Sequence, residues 1–259
     1  MKKFGLALGA GGSRGVAHVG FLQALEEAGI KPDYIAGSSM GSIVGGAYAA
    51  GIPLSIIKEV VLKLRVLDLI SPAKQKGGVF GSQKMRALIA KYIGETEFSD
   101  LKIPFQAVAV DMYSQKAIAF SEGKVVDAIV ASSTIPGVFH PLMKDGMRLV
   151  DGGVLERVPA MRVKDMGAEV VVAVDVLGWR EANEKVSGTL GVLLETFDIM
   201  DNYRTKEYRE KNKRKIDFWL EPDLGNMSQY SLKEIKNAYE KGYELGQEYA
   251  PKIKRVLSK

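Results

Sequence analysis

A chain of 259 residues, 46% hydrophobic and 26% charged, is long enough to bury a substantial core and has the composition of an ordinary folded protein, neither fibrous nor disordered. It has no cysteine and only two histidines, His18 and His140, which excludes a disulfide framework, a thiolate nucleophile, a cysteine-based zinc site and a three-histidine metal site. The net charge of +5 is modest and spread out, so no nucleic-acid partner is implied, and the lack of cysteine fits a reducing compartment, with a cytoplasmic location as the expectation and a membrane-peripheral one as its alternative.

Strand-like and helix-like segments alternate along the chain. The apolar run after Lys2 and Lys3 is too short for a leader peptide and reads as a core strand over 3–8. A glycine-rich turn over 9–15 leads into a helix over 16–28, where Val16, Val19, Leu22 and Leu25 recur at helical spacing and Gly29 closes the end. A second strand over 33–36 precedes a sharp turn at 37–41 and a helix of small residues over 42–50. Pro53 opens a helix with Ile56, Ile57, Val60, Val61 and Leu64 apolar; residues 71–81 are loop-like, and Ser82 caps a helix to 93. Strands over 104–111 and 116–120 form a hairpin, and a helix follows over 125–133. A brief strand over 148–150 runs into Asp151-Gly152-Gly153, then a helix over 159–166 and a strongly apolar strand over 169–176.

Beyond residue 180 the pattern changes. A long helix over 190–211, a strand over 216–220 and a final amphipathic helix bearing Leu232, Ile235, Tyr239, Gly242 and Tyr249 complete the chain. No window approaches 18 uninterrupted apolar residues, so no transmembrane helix is expected. The alternation argues for an α/β fold, a mainly parallel central sheet with helices on both faces. No linker divides the chain, so one α/β domain over 1–259 is expected, with 181–259 as its C-terminal helical extension.

Gly37-Ser38-Ser39-Met40-Gly41 fits G-x-S-x-G, with a strand before it and a small-residue helix after it, the context of a nucleophile elbow. Ser39 would sit at a tight strand-to-helix turn, and Gly37 and Gly41 would remove side chains that collide with the strand and helix. A serine there projects over a helix N-terminus, whose dipole favours developing negative charge.

The loop Gly9-Ala10-Gly11-Gly12-Ser13-Arg14-Gly15 has competing uses. A phosphate-binding P-loop lacks its Lys-Ser/Thr pair, and a dinucleotide fingerprint places glycine where this chain has Arg14. An oxyanion hole remains, with backbone N–H groups of Gly11, Gly12 and their neighbours directed at a carbonyl oxygen, as does a plain flexible turn. A serine needs a base. Asp151, at a strand end beside a glycine turn, is one candidate; His18 and His140 are the others, and Asp-Gly-Gly is also an ordinary turn signal.

Together these residues resemble the patatin-like phospholipases. The likeness rests on Gly9–Gly15 followed by His18-Val19-Gly20, on Gly37–Gly41, on Ala131-Ser132-Ser133 through Ile135-Pro136-Gly137, and on Asp151-Gly152-Gly153, in matching order and spacing over about residues 5–165. It is closest to the short, single-domain bacterial members. The resemblance implies a patatin-like three-layer sandwich and a Ser-Asp dyad without histidine, with Ser39 as nucleophile and Asp151 as base. It also implies an oxyanion hole lined by the backbone of Gly11, Gly12, Ser13 and Arg14, and no metal or cofactor. Gly9, Gly37, Gly41, Gly152 and Gly153 support the motifs. Many members carry Asn shortly after the Asp-Gly turn, where this chain has Glu156-Arg157.

The expected activity is hydrolysis of lipid or other acyl esters through an acyl-enzyme, falling as pH drops through the Asp151 pKa. The alternative is a lipid-binding regulatory protein of the same fold with little turnover. A membrane-touching edge is sought in the helix over 54–67 with the loop to Phe80, and in the basic run Lys211, Lys213, Arg214 and Lys215, for which a plain solvated face is the simpler reading.

Overall fold

The computed structural model describes residues 1–72, 79–178 and 188–259. In chain order the elements are β1 (Phe4–Leu8), α1 (Ala17–Glu27), β2 (Tyr34–Ser38), α2 (Met40–Ala49), α3 (Leu54–Lys63), α4 (Val66–Leu69), β3 (Ser71–Pro72), β4 (Phe80–Gly81) and α5 (Gln83–Ile93). There follow β5 (Phe105–Asp111), β6 (Lys116–Phe120), α6 (Val125–Ser132), β7 (Leu142–Lys144), β8 (Met147–Asp151), α7 (Ala160–Asp165), β9 (Val170–Val174), α8 (Gly188–Asn212), β10 (Phe218–Leu220) and α9 (Ile235–Leu257).

The main sheet runs β10-β9-β1-β2-β5-β8-β7, with β6 also paired to β5. From β10 to β5 every pairing is parallel; β6, β7 and β8 pair antiparallel. Every residue of β1 and β9 is buried, as a parallel strand covered on both faces demands. Phe4, Leu6 and Leu8 face a large core with side chains from α1, α2, α3, α5, α6 and α9. Ala7, Val171 and Ala173 face a smaller core with Val163 of α7 and Tyr208 of α8. The result is the three-layer α/β arrangement that the alternating sequence pattern implies.

The expected strand over 33–36 continues to Ser38, so Gly37 and Ser38 belong to the sheet. The expected hairpin of β5 and β6 is present. β7 was not foreseen, although Asp145-Gly146, both at positive φ, form the two-residue turn that folds it onto β8. Part of the 71–81 loop is a two-residue ladder, Ser71–Pro72 against Phe80–Gly81; residues 73–78 lie outside the described residues. The apolar residues Leu54, Ile57 and Val61 of α3 are buried in the core, so most of the apolar side of that helix is not available as a membrane-touching edge.

One edge of β5 is shared by two strands. Its first half pairs with β2, ending at Ser38 opposite Val108. Its second half pairs with β8, starting from Asp151 opposite Ala109. β6 occupies the other edge. Since β2 is parallel and β8 antiparallel to β5, their carboxyl ends meet tip to tip, which brings the residue after Ser38 against Asp151.

The two long faces of α1 and α9 touch through glycine. A Cβ built on Gly242 would lie 1.9 Å from the carbonyl oxygen of Ala17, and one on Gly20 would lie 2.1 Å from that of Tyr239. Neither obstacle is a flexible side-chain end, so the helices themselves would have to separate. Gly242→Ala should therefore lower stability by at least about 1–3 kcal/mol, the usual cost of overpacking, in urea unfolding. An unchanged midpoint would show that the helices separate at no cost.

Candidate active site

Ser39 joins β2 to α2 with φ 53° and ψ −123°, a left-handed conformation in which a serine is strained. The surroundings hold it there. The hydroxyl and amide of Ser42 both donate to the carbonyl of Ser39, at 2.7 and 2.8 Å, closing the first turn of α2. The amide of Ser39 donates to Oγ of Ser132 at 2.9 Å. A Cβ on Gly37 would lie 2.4 Å from the Gly41 carbonyl oxygen, and one on Gly41 would lie 2.1 Å from that of Leu8. Both glycines are thus required by the closeness of the turn.

Oγ of Ser39 donates to Oδ2 of Asp151 at 2.6 Å, the length of a hydroxyl bonded to a carboxylate. Oδ1 of Asp151 accepts from the amide of Gly153 at 2.8 Å, and the Asp151 amide donates to the carbonyl of Thr134 at 2.9 Å. Residues 132–134 therefore orient both partners. Their part is missed by reading single residues, although the run Ala131-Ser132-Ser133 belongs to the resemblance.

Ser39 and Asp151 are 7% and 6% exposed. Burial raises the pKa of Asp151 from 3.8 to about 6, the charge of Asp201 adding to it and the bonds from Ser39 and Gly153 opposing it. Neither histidine is hydrogen-bonded to Ser39. Nε2 of His18 lies 2.8 Å from the Gly9 carbonyl, and burial lowers this histidine to about 4. Nδ1 of His140 lies 2.8 Å from the Pro141 carbonyl.

The glycine loop approaches the same point from β1. Gly11 and Gly12 line the cavity beside Ser39 and Asp151, and their amides have no protein acceptor among the described residues. Ser13 and Arg14 differ from expectation. The Ser13 amide donates to the Gln229 carbonyl at 2.9 Å and the Arg14 amide to that of Gly11 at 3.0 Å, so neither points free into the cavity. The buried Arg14 guanidinium instead donates to the carbonyls of Val176, Gly225, Met227 and Leu177, at 2.7, 3.0, 2.9 and 3.3 Å. It ties the loop to the end of β9 and to the segment before α9. Gly9 donates to Val174, and a Cβ on Gly152 would meet the Val108 carbonyl oxygen at 2.2 Å.

The cavity, of about 300 Å³, is mostly apolar, walled by Ile135, Pro136, Val154, Leu155, Leu177, and Leu194, Phe197 and Met200 of α8. A second cavity of about 400 Å³ adjoins it across Pro136, Val154, Leu155 and Phe197. Among the described residues no group of three or more histidines or acids is placed to hold a metal.

Glu156-Arg157 now has a structural account. Glu156 holds Arg162 at 2.8 Å. The side chain of Arg157, 3% exposed, donates to Asp175 at 2.7 Å, Asp201 at 2.9 Å and Asn202 at 2.6 Å. Arg204 donates to Asp201 and to the carbonyls of Gly153 and Val154. Helix α8 is thereby fastened to β9 and to the Asp151 turn by charged groups.

A strained serine on a strand-to-helix turn, a buried carboxylate at its hydroxyl and a glycine loop beside both, set at the carboxyl ends of a parallel sheet, define a three-layer α/β protein of the nucleophile-elbow type. Residues 6–164 match the family model for patatin-like phospholipase, and the chain belongs to that family. It is 38% identical over 175 residues, 67% of this chain and 49% of the other, to an uncharacterised NTE-family protein of Mycobacterium tuberculosis. With the human patatin-like phospholipase domain-containing protein 6 the identity is 34%, covering 66% of this chain and 13% of that one. With the lysophospholipase nte1 of Neurospora crassa it is 32%, covering 68% and 12%. The chain thus spans half or less of these relatives. VipD from Legionella pneumophila shares the fold, with a TM-score of 0.68 at 13% identity over 97% of this chain and 67% of that one.

Two outcomes follow from the buried charges. Arg157→Ala leaves Asp175 and Asp201 without their common partner and should cost about 3–5 kcal/mol in urea unfolding; a loss under about 1 kcal/mol would mean the pairs contribute little. For Asp151, the folded pKa lies above the unfolded one, so its protonation stabilises the fold. That contribution is complete below pH 3.8 and lost as pH rises through about 6. Asp151→Asn, which keeps an acceptor for Gly153, should raise stability by up to about 3 kcal/mol near pH 8 and by nothing near pH 3. Equal stability gains at both pH values would rule out the buried charge as the cause.

Proposed function

We propose that this chain hydrolyses acyl ester bonds of lipids, with Ser39 as nucleophile and Asp151 as its base. The observation that carries the reading is the 2.6 Å hydrogen bond from Ser39 to a buried Asp151 in the wall of an apolar cavity. The two adjoining apolar cavities suit acyl chains better than a small polar ester. The printed names of the relatives, phospholipase and lysophospholipase, agree with a lipid substrate.

In the first step Oγ of Ser39 attacks the ester carbonyl carbon while its proton passes to Oδ2 of Asp151. The oxygen of the tetrahedral intermediate takes its negative charge beside the amides of Gly11 and Gly12 and the N-terminus of α2. The carbon–oxygen bond to the alcohol then breaks, and the alcohol leaves with the proton from Asp151. In the second step Asp151 takes a proton from water, the hydroxide attacks the acyl-enzyme, and Ser39 recovers its proton as the fatty acid departs. Ser132 and Thr134 position the pair and touch neither substrate nor proton. The oxyanion role narrows to Gly11 and Gly12, because the amides of Ser13 and Arg14 are committed elsewhere.

The test is labelling by a fluorophosphonate, read as intact mass. Wild type should gain one adduct, Ser39→Ala none, and Asp151→Asn should label about 100- to 10,000-fold more slowly, the span of a general base. Only ionised Asp151 accepts the proton, so the rate should be half-maximal near pH 6, not near the 3.8 of an ordinary aspartate, and fall about tenfold per unit below that. No adduct on wild type would discard the hydrolase in favour of a lipid-binding protein of the same fold.

A further inference from the structure

Helix α8 is built inside out. Its inward face is largely polar: Asp201 and Asn202 bind Arg157, Thr205 and Asn212 are buried, and Tyr208 adds an aromatic ring to the smaller core. Its outward face is apolar. Ile199, Met200 and Tyr203 are 62, 60 and 66% exposed, and Val192, Leu193 and Phe197 are also exposed. Residues 192, 199 and 203 recur at about 3.6-residue spacing, so they form one stripe along the helix. A helix packed on a globular protein normally has the opposite polarity. Several large apolar side chains grouped on one exposed face mark a contact surface.

What covers that face is indicated by its two neighbours. On one side the stripe is continuous with the cavity that holds Ser39, because Phe197 and Met200 both line the cavity and stand exposed at its rim. On the other side the chain turns cationic: residues 206–215, the end of α8 and the turn after it, hold six lysines and arginines against two glutamates, and Lys211, Lys213, Arg214 and Lys215 are all exposed. An apolar stripe beside a basic segment is the composition of a helix lying in the plane of an anionic bilayer surface. A second copy of this chain seated on the same stripe would cover the rim of the cavity and would set two basic segments near each other.

We propose that the outer face of α8 is a docking surface for anionic lipid bilayers, which sets the mouth of the Ser39 cavity against the lipid it acts on. The inference rests on the lipid-hydrolase reading for the purpose of docking, not for docking itself. It replaces α3 by α8 as the membrane-facing element.

The experiment is flotation of the full chain with phosphatidylcholine vesicles, with and without phosphatidylglycerol, in a Ser39→Ala background so that binding is read without turnover. Ile199 and Tyr203 lie outside the cavity lining and serve as probes. The Ser39→Ala protein should float with anionic vesicles, less at high salt, and adding Ile199→Glu with Tyr203→Glu should weaken binding by at least about tenfold. With Ser39 restored, the same pair should leave fluorophosphonate labelling in solution unchanged, which shows that the site still folds. Absence of flotation at every composition would overturn the proposal. So would a dimer in sedimentation that Ile199→Glu abolishes, since the face would then belong to a second copy. Flotation by a chain that takes up no fluorophosphonate would sink the hydrolase reading alone and leave the docking surface standing.

Discussion

The site depends on one constraint, the sharing of a single edge of β5 by two strands that run toward each other. Ser38 ends its pairing at Val108 and Asp151 begins its own at Ala109, so adjacent residues of one strand fix both halves of the pair. No loop has to carry Asp151 to Ser39. The sheet ladder sets the separation, and the left-handed turn at Ser39 aims the hydroxyl across the gap. The local strain is offset by the bonds that the Ser39 backbone accepts from Ser42 and donates to Ser132, which do not involve its hydroxyl. The Ser39 hydroxyl therefore keeps one strong partner, Asp151.

Buried charge is handled in two opposite ways within a short distance. Asp175 and Asp201 share the guanidinium of Arg157, and Arg204 adds a second cation at Asp201. Asp151 receives only a hydroxyl and an amide, so its ionised form is poorly compensated and its pKa rises to about 6. A base must hold its proton loosely enough to ionise near neutrality and tightly enough to accept one. An arginine at Asp151 would have stabilised the fold and lowered its basicity. Arg157 is paired instead with Asp175 and Asp201, which supports α8 and leaves the raised pKa of Asp151 in place.

Much of this was legible in the sequence because the backbone demands it locally. The turn at Gly37–Gly41, the loop at Gly9–Gly15 and the Asp151-Gly152-Gly153 turn each need particular residue types at fixed spacing, and short apolar runs alternating with segments of helical spacing gave the layers. The β7 turn was also written in Asp145-Gly146 but its strand is only three residues long. What stayed hidden is set by contacts distant in sequence. Nothing local says that the Ser13 amide meets Gln229, that Arg14 meets Val176 and Gly225, or that Arg157 reaches Asp201. The elevated pKa of Asp151 was equally invisible, because it is caused by burial, and burial is a property of the assembled layers.

Helix α8 shows how those long-range charges shape the exterior. A helix fixed by an apolar stripe has only its polar side left for solvent. Here the inward attachment is made largely by Arg157, Asp201, Asn202 and Arg204, which frees the opposite side to be apolar without loss of anchorage. The same anchors run directly into the Asp151 turn, through Arg204 to the carbonyls of Gly153 and Val154. Polar attachment inside and apolar exposure outside are therefore one design: the helix walls the cavity, stays fixed to the Asp151 turn, and still offers its apolar residues to whatever lies beyond the mouth.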